Sequence, residues 1–269
     1  MIRIRNGRLT ATAAKQLEDY QQDVDDHPDY AMRVARAKSQ FSARNKNTNG
    51  TFVVVREKLT NMCNGSRRCM YCEDSVADEV EHFQPKDLYP EVVFAWRNYL
   101  YACGPCNGPK NNKFSVVDAG TETLVDVTRP RRALVIPPQD GQVALISPRH
   151  EDPLEYMMLD IRDTFEFTPL ANAGTLAFLR ADYTIRILDL NGRDYLVSAR
   201  RNSFGAYRAR LREYIQQRDA GASPHNLTRL RSEMQQSPHP TVWAEMKRQH
   251  QHHPSLAALF RSAPEALNF

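Results

Sequence analysis

"CMYCEDSVADEVEHFQPKDLYPEVVFAWRNYLYACGPCNGPKNNK", residues 69–113, is the stretch on which the fold turns. It opens with Cys69-x-x-Cys72 and, thirty residues later, presents Cys103-x-x-Cys106. Each pair makes a tight knuckle with two sulfurs on one side of a turn, and two knuckles complete a tetrahedron. The spacing predicts that Cys69, Cys72, Cys103 and Cys106 hold a structural Zn²⁺. Such an ion staples a unit too small to be held by core burial alone. The competing reading is a free or redox-active set of thiols, which paired knuckles disfavour. The fifth cysteine, Cys63, reads as a free, half-buried thiol.

Working outward, Glu81 and His82 sit side by side in a short apolar run between the knuckles, and Asn107 directly follows the last cysteine. The zinc would therefore clamp Asn107 close to the Glu81-His82 segment. Neighbours on a strand point to opposite faces, so a bulge or a strand end is needed for both to serve one site. Carboxylate, imidazole and amide in one small unit suit metal-assisted phosphodiester hydrolysis. A neutral histidine takes a proton from water at physiological pH. Oxygen ligands from Glu81 and Asn107 are hard donors, suited to Mg²⁺ or Mn²⁺. The bland alternatives are a core or capping histidine at 82 and a helix cap at 107, a position asparagine favours. Lys86, Lys110 and Lys113 flank the site as candidate ligands for substrate phosphates, against the plain reading of solvated loop lysines. Trp96 reads as a core residue rather than a platform for a base.

These 45 residues resemble an HNH (ββα-metal) endonuclease of the subtype with two zinc knuckles. The lead-in "FVVVREKLTNM", the "VEHFQPK" run and the downstream "EDPLEYM" and "LDLNGRDYLVSARR" are similar to the HNH nuclease subunit of Septu-type and retron-associated anti-phage systems. The resemblance implies His82 as general base, Glu81 and Asn107 as ligands of the catalytic ion, and Asn98 as the residue fixing the loop and the orientation of His82. It also implies DNA as substrate and an ATPase partner protein. Two departures stand out: Glu replaces the more usual Asp before the histidine, and Asn replaces the final histidine. Gly108-Pro109 is also unusual inside a helix, though proline is tolerated in a first turn. A zinc-stapled nucleic-acid-binding module without catalysis, and a stand-alone DNase or RNase, are the alternatives.

The rest of the chain sets the frame. At 41% apolar and 25% charged residues, 269 residues suffice for a real core and argue against wholesale disorder. A net charge of +4 is compatible with a nucleic-acid partner and says little more. No run of 18 apolar residues occurs, so no membrane span is expected. The start, "MIRIRNGRLT", is charged where a signal peptide needs an apolar core; the expected compartment is the cytoplasm, where thiols stay reduced. The absence of a G-x-x-x-x-G-K-[ST] loop predicts that any ATP dependence comes from another chain.

Three segments are expected. Residues 1–62 read as helical, with Leu17, Tyr20 and Val24 on one face, a break at "DDHPD", a second helix from Tyr30 to Arg44, and a third carrying Phe52, Val55, Leu59 and Met62. Residues 63–118 form the zinc-stapled core. Residues 119–269 are mixed, then helical, and bind DNA or a partner. Within them "TLVDV", "QVALIS" and "TFEFTP" read as strands, and "ADYTIRILDLN" fits strand or helix equally. A helix is expected from Tyr195 to about Arg218, with Arg201, Arg208 and Arg212 as backbone-binding candidates against an exposed polar face. "HQHHP" at 250–254 reads as a solvated loop despite its metal-binding composition. The fold class expected is α+β, mainly helical around a small ββα-metal core.

Overall fold

The computed structural model describes residues 1–63, 65 and 67–269. The architecture is α+β, with helices outweighing three small antiparallel sheets. Three helices open the chain: α1 (Ala11–Asp25), α2 (Tyr30–Arg44) and α3 (Gly50–Met62). Each begins where a short polar side chain accepts from a backbone N–H of the first turn. Thr10 takes Ala13, Asp29 takes Met32 and Asn49 takes Phe52, and each such cap contributes about 1 kcal/mol. The faces read from the sequence are the ones buried: Leu17 and Val24 in α1, and Phe52, Val55 and Leu59 in α3. Tyr20 is half-buried and packs on Phe94 with ring centroids 5.4 Å apart.

The central unit follows. Strand β1 (Glu79–His82) pairs antiparallel with β2 (Tyr99–Ala102), and α4 (Gly104–Lys110) follows directly. The ladder runs in register from Glu79 opposite Ala102 to His82 opposite Tyr99, without a bulge. Against this hairpin lie α1–α3, which supply Phe41 and Phe52 to an aromatic cluster with Phe94 and Tyr99. The first segment is thus the wall behind β1. Pro109 stands in the last turn of α4, not its first. The helix ends one residue later, with Asn111 at φ 39°, so the ring's bulk disrupts little of it.

A three-stranded sheet in the order β4-β3-β5 comprises β3 (Ser115–Val117), β4 (Leu124–Asp126) and β5 (Gln142–Val143); β6 (Met157–Leu159) pairs with β7 (Phe167–Pro169). The run "QVALIS" yields only two strand residues. Ala144, Leu145 and Ile146 are buried beyond them, Ala144 donating to the Ser115 carbonyl and Ile146 to the Thr184 hydroxyl. The ambiguous "ADYTIRILDLN" is helical over most of its length, in α5 (Leu176–Ile187), capped by Thr175. Its Ala181, Thr184, Ile185 and Leu188 are all buried at helical spacing. Helices α6 (Asp194–Asp219), α7 (Pro224–Gln235), α8 (Pro240–Gln249) and α9 (Pro254–Ser262) close the chain. The tract at 250–252 is a 3-10 turn, not a loop; His250 Nδ1–H donates to the Lys247 carbonyl at 2.8 Å and its ring lies on Phe260.

Residues of all three segments join one cluster of buried side chains. Buried arginines stitch it together. Arg149 donates to the carbonyls of Trp96 and Tyr99, both at 2.6 Å, and to Asn6 Oδ1 at 2.8 Å, with its guanidinium over the Trp96 ring. Trp96 is half-buried and donates to the Gly7 carbonyl, so its ring packs within the protein. Among the described residues no helix is long and apolar enough to cross a membrane.

Candidate metal centre and catalytic cleft

The four knuckle cysteines converge. All are buried, and their Sγ atoms lie within 4.8 Å of one another. A zinc ion bonded to four sulfurs at about 2.3 Å spaces them about 3.8 Å apart, which is the distance between the sulfurs of Cys72 and Cys103, 3.8 Å. The residues present therefore fit the ion. Supporting contacts surround them: the Tyr71 N–H points at Cys69 Sγ, 3.4 Å away, and Arg193 reaches Cys106 Sγ at the same distance. Arg193 is itself fixed by the carbonyls of Leu188 and Asp189. A cation beside a cluster of thiolates offsets their mutual repulsion, and nothing in the sequence near the knuckles announces it.

The first knuckle is also tied to the C-terminal helices. Glu73, at φ 64° in the left-handed region, accepts from the backbone and hydroxyl of Thr241. Asp74 meets His239 at 3.2 Å. Cys63 stays outside the cluster, half-buried, and burial pushes its thiol up to about 12.

A cleft of about 340 Å³ opens over the end of β1, lined by Asp78, Glu79, Glu81, His82, Lys86 and Asn107 among others. The strand-alternation difficulty is resolved by position, since His82 is the last residue of β1 and the cleft reaches both it and Glu81 around the strand end. The His82 ring packs on Phe41 and Tyr99, at centroid distances of 4.3 and 5.3 Å. Its Nε2 lies 2.9 Å from the Val93 carbonyl oxygen. A carbonyl only accepts, so Nε2 carries the proton and Nδ1 keeps its lone pair. Burial, helped by the charge of Lys86, lowers the imidazole to about 3, and the ring is neutral at physiological pH.

Asn98 does not line the cleft. It accepts from the Gln84 N–H and donates to the carbonyls of Gln84 and Val92. Those bonds join the chain after His82 to the chain just before Val93, whose carbonyl takes the imidazole proton. Asn107 donates through Nδ2 to Glu79, a residue the sequence reading passed over. The signal for it was present, since Glu79 and Glu81 lie two apart and share a strand face.

The three lysines separate. Lys110 is fully buried; its ammonium pairs with Glu81 Oε1 and donates to the His82 carbonyl at 2.9 Å. The expectation that it meets substrate phosphate in a loop is corrected: the last turn of α4 drives it under β1, where a buried carboxylate needs a counter-charge. Burial raises the Glu81 carboxyl, with Lys110 opposing. Lys86 does line the cleft, its ammonium 5.4 Å from the Phe41 ring centre. Lys113 is exposed and lies in a neighbouring groove. Of the α6 arginines, Arg201 donates to the Asp163 carbonyl and Arg208 covers Phe204, while Arg212 is exposed.

Two strands, a following helix, four converging cysteines placed to hold a metal ion and a buried neutral histidine at a strand end define a small ββα unit. No protein-family model matches the chain. It is similar to the Septu protein PtuB of Bacillus thuringiensis, 40% identical over 76 residues. The matched segment covers 26% of this chain and 28% of the length of that protein.

Proposed function

We propose that the protein is a divalent-metal-dependent endonuclease of the HNH type that hydrolyses DNA. In this reading it is the nuclease subunit of an anti-phage defence system and works with an ATPase partner. The observation that carries the reading is His82: buried, neutral, its Nε2–H spent on the Val93 carbonyl, its Nδ1 lone pair left free beside a cleft of oxygen donors. Similarity to PtuB supports the defence role and the partner.

The cleft suits a hard cation by its chemistry. Asn107 gives its amide hydrogens to Glu79, and its Oδ1 accepts no hydrogen bond among the described residues. Asn107 and Glu81, with Glu79 beside them, would hold Mg²⁺ or Mn²⁺. When bound, that ion would neutralise charge on the phosphate and on the departing oxygen. His82 Nδ1 takes a proton from water as the oxygen attacks phosphorus, and the bond to the 3′ oxygen breaks, leaving 5′-phosphate and 3′-hydroxyl ends. Asn98 keeps the imidazole aimed by tying the chain just after His82 to the residue just before its carbonyl acceptor.

One observation favours a binding module without catalysis: the Glu81 oxygen expected to ligate the ion is held by Lys110. Supercoiled plasmid separates the readings. Wild-type protein with Mg²⁺ or Mn²⁺ nicks it, whereas His82→Ala and wild type in EDTA do not. Equal cleavage by His82→Ala removes the base from His82, and a wild type inert with and without the ATPase partner leaves the binding module.

A further inference from the structure

Beside the cleft runs a groove of about 1020 Å³, and the two share Asn111 and Asn112 in their walls. The groove passes between α2 and the loop at 129–135. Its rim carries five cations, of two kinds. Lys38 and Arg129 are already matched, both against Asp87, at 2.7 and 3.5 Å. Lys113, Arg131 and Arg132 are exposed, and their side chains make no ion pair or hydrogen bond among the described residues.

The loop that presents the two free arginines is built, not slack. Arg129 anchors it by donating to the Asp87 carbonyl, to Tyr30 Oη at 3.0 Å and to the Ile136 carbonyl at 3.0 Å, with its guanidinium on the Tyr30 ring. A turn closes from the Ala133 N–H to the Pro130 carbonyl at 3.1 Å, with Arg132 held at φ 70°. Fixing the tip in this way reduces the entropy lost when its side chains meet a ligand. Among the described residues Asp87 is the one carboxylate in the groove lining, and it is already matched.

We propose that cleft and groove form one continuous track for a polynucleotide strand. In it Lys113, Arg131 and Arg132 take successive phosphates on one side of the bond presented to His82. This rests on the nucleic-acid reading above and adds to it which residues carry the strand and in which direction it leaves. Three unmatched cations along a groove that opens from the cleft complement a regularly charged backbone, whose phosphates carry no sequence information.

The test is binding, read apart from cleavage. A fluorescein-labelled 20-nucleotide single-stranded DNA is titrated in EDTA by fluorescence anisotropy across a salt series. Each phosphate contact on a single strand contributes about 0.7 to the slope of log K against log salt. The variant Lys113→Gln/Arg131→Gln/Arg132→Gln is expected to flatten the slope by about 2 and to weaken binding at low salt at least tenfold. Its melting temperature and zinc content should match wild type, since none of the three side chains has a hydrogen-bond or ion-pair partner among the described residues. Arg261→Gln, an exposed cation on α9, should leave the slope as it is. A slope unchanged in the triple variant, or a wild type that binds no labelled strand, overturns the track. If the triple variant binds normally but fails to pull down an ATPase partner that wild type retains, the surface is a protein interface and the proposal falls. A slope lost in the triple variant together with an inert plasmid assay keeps the track and removes the nuclease; the reverse pattern keeps the nuclease and removes the track.

Discussion

The cysteine knuckles and the cleft share the short helix α4, which carries Cys106 and Asn107, yet they hold their polar atoms in opposite ways. At the knuckles four buried sulfurs face one another within 4.8 Å, at a spacing that suits a metal ion. In the cleft every expected group but one already has a protein partner: Lys110 on Glu81, Glu79 on Asn107, Val93 on the far side of His82. The first arrangement is complete once zinc arrives. The second is poised, because a cation entering it competes with contacts already made. A structural site should therefore give a large, all-or-none response to change, and the cleft a graded one.

The largest effect is expected at the knuckles. Cys103→Ser should lose the stoichiometric zinc and most of the ion's contribution to folding, which in small zinc units reaches about 10 kcal/mol. Metal analysis and a thermal melt read both, and a variant that melts like wild type without zinc refutes the staple. Next comes Lys110→Met, which leaves Glu81 charged and buried without a partner at a cost of about 3–5 kcal/mol. The double variant Glu81→Gln/Lys110→Met should recover most of that loss in urea denaturation. If the single substitution costs nothing, the pair does not brace the cleft.

Asn98→Ala removes three hydrogen bonds to backbone groups at about 1 kcal/mol each, so a loss of about 2–3 kcal/mol is expected, with weakened cleavage as the loop carrying Val93 loosens. The smallest effect concerns Cys63. A thiol pushed up to about 12 is almost wholly protonated at neutral pH, and only the thiolate reacts. Maleimide labelling of the zinc-loaded protein at pH 7.5 should be slow at Cys63, rising about tenfold per pH unit toward pH 10. Rapid labelling there would show the residue to be exposed and activated, unlike the buried knuckle sulfurs.

Local signals carried far in this chain. Thr10, Asp29 and Asn49 mark helix starts because a cap is satisfied within four residues. The faces of α1 and α3 follow from a 3.6-residue period that packing then used. Where signals conflicted, burial decided. The β-branched residues of "ADYTIRILDLN" allow a strand, and its helix is set by the core that Ala181, Thr184, Ile185 and Leu188 enter together. "QVALIS" alternates like a strand, yet most of it finds its hydrogen bonds singly, with Ser115 and Thr184.

By itself the sequence determined the cysteine cluster and the juxtaposition of Asn107 with the Glu81-His82 strand. Two C-x-x-C turns leave four sulfurs few ways to be satisfied, and α4 begins at the second turn. Tertiary structure alone decided which charge meets which. Lys110 is buried on Glu81, Glu79 meets Asn107, Arg193 lies beside Cys106, and Arg131 and Arg132 are left unmatched on a groove. Coulombic partners act through space and not along the chain. A lysine read as a candidate phosphate ligand therefore becomes the counter-ion of a buried carboxylate once folding closes α4 over β1.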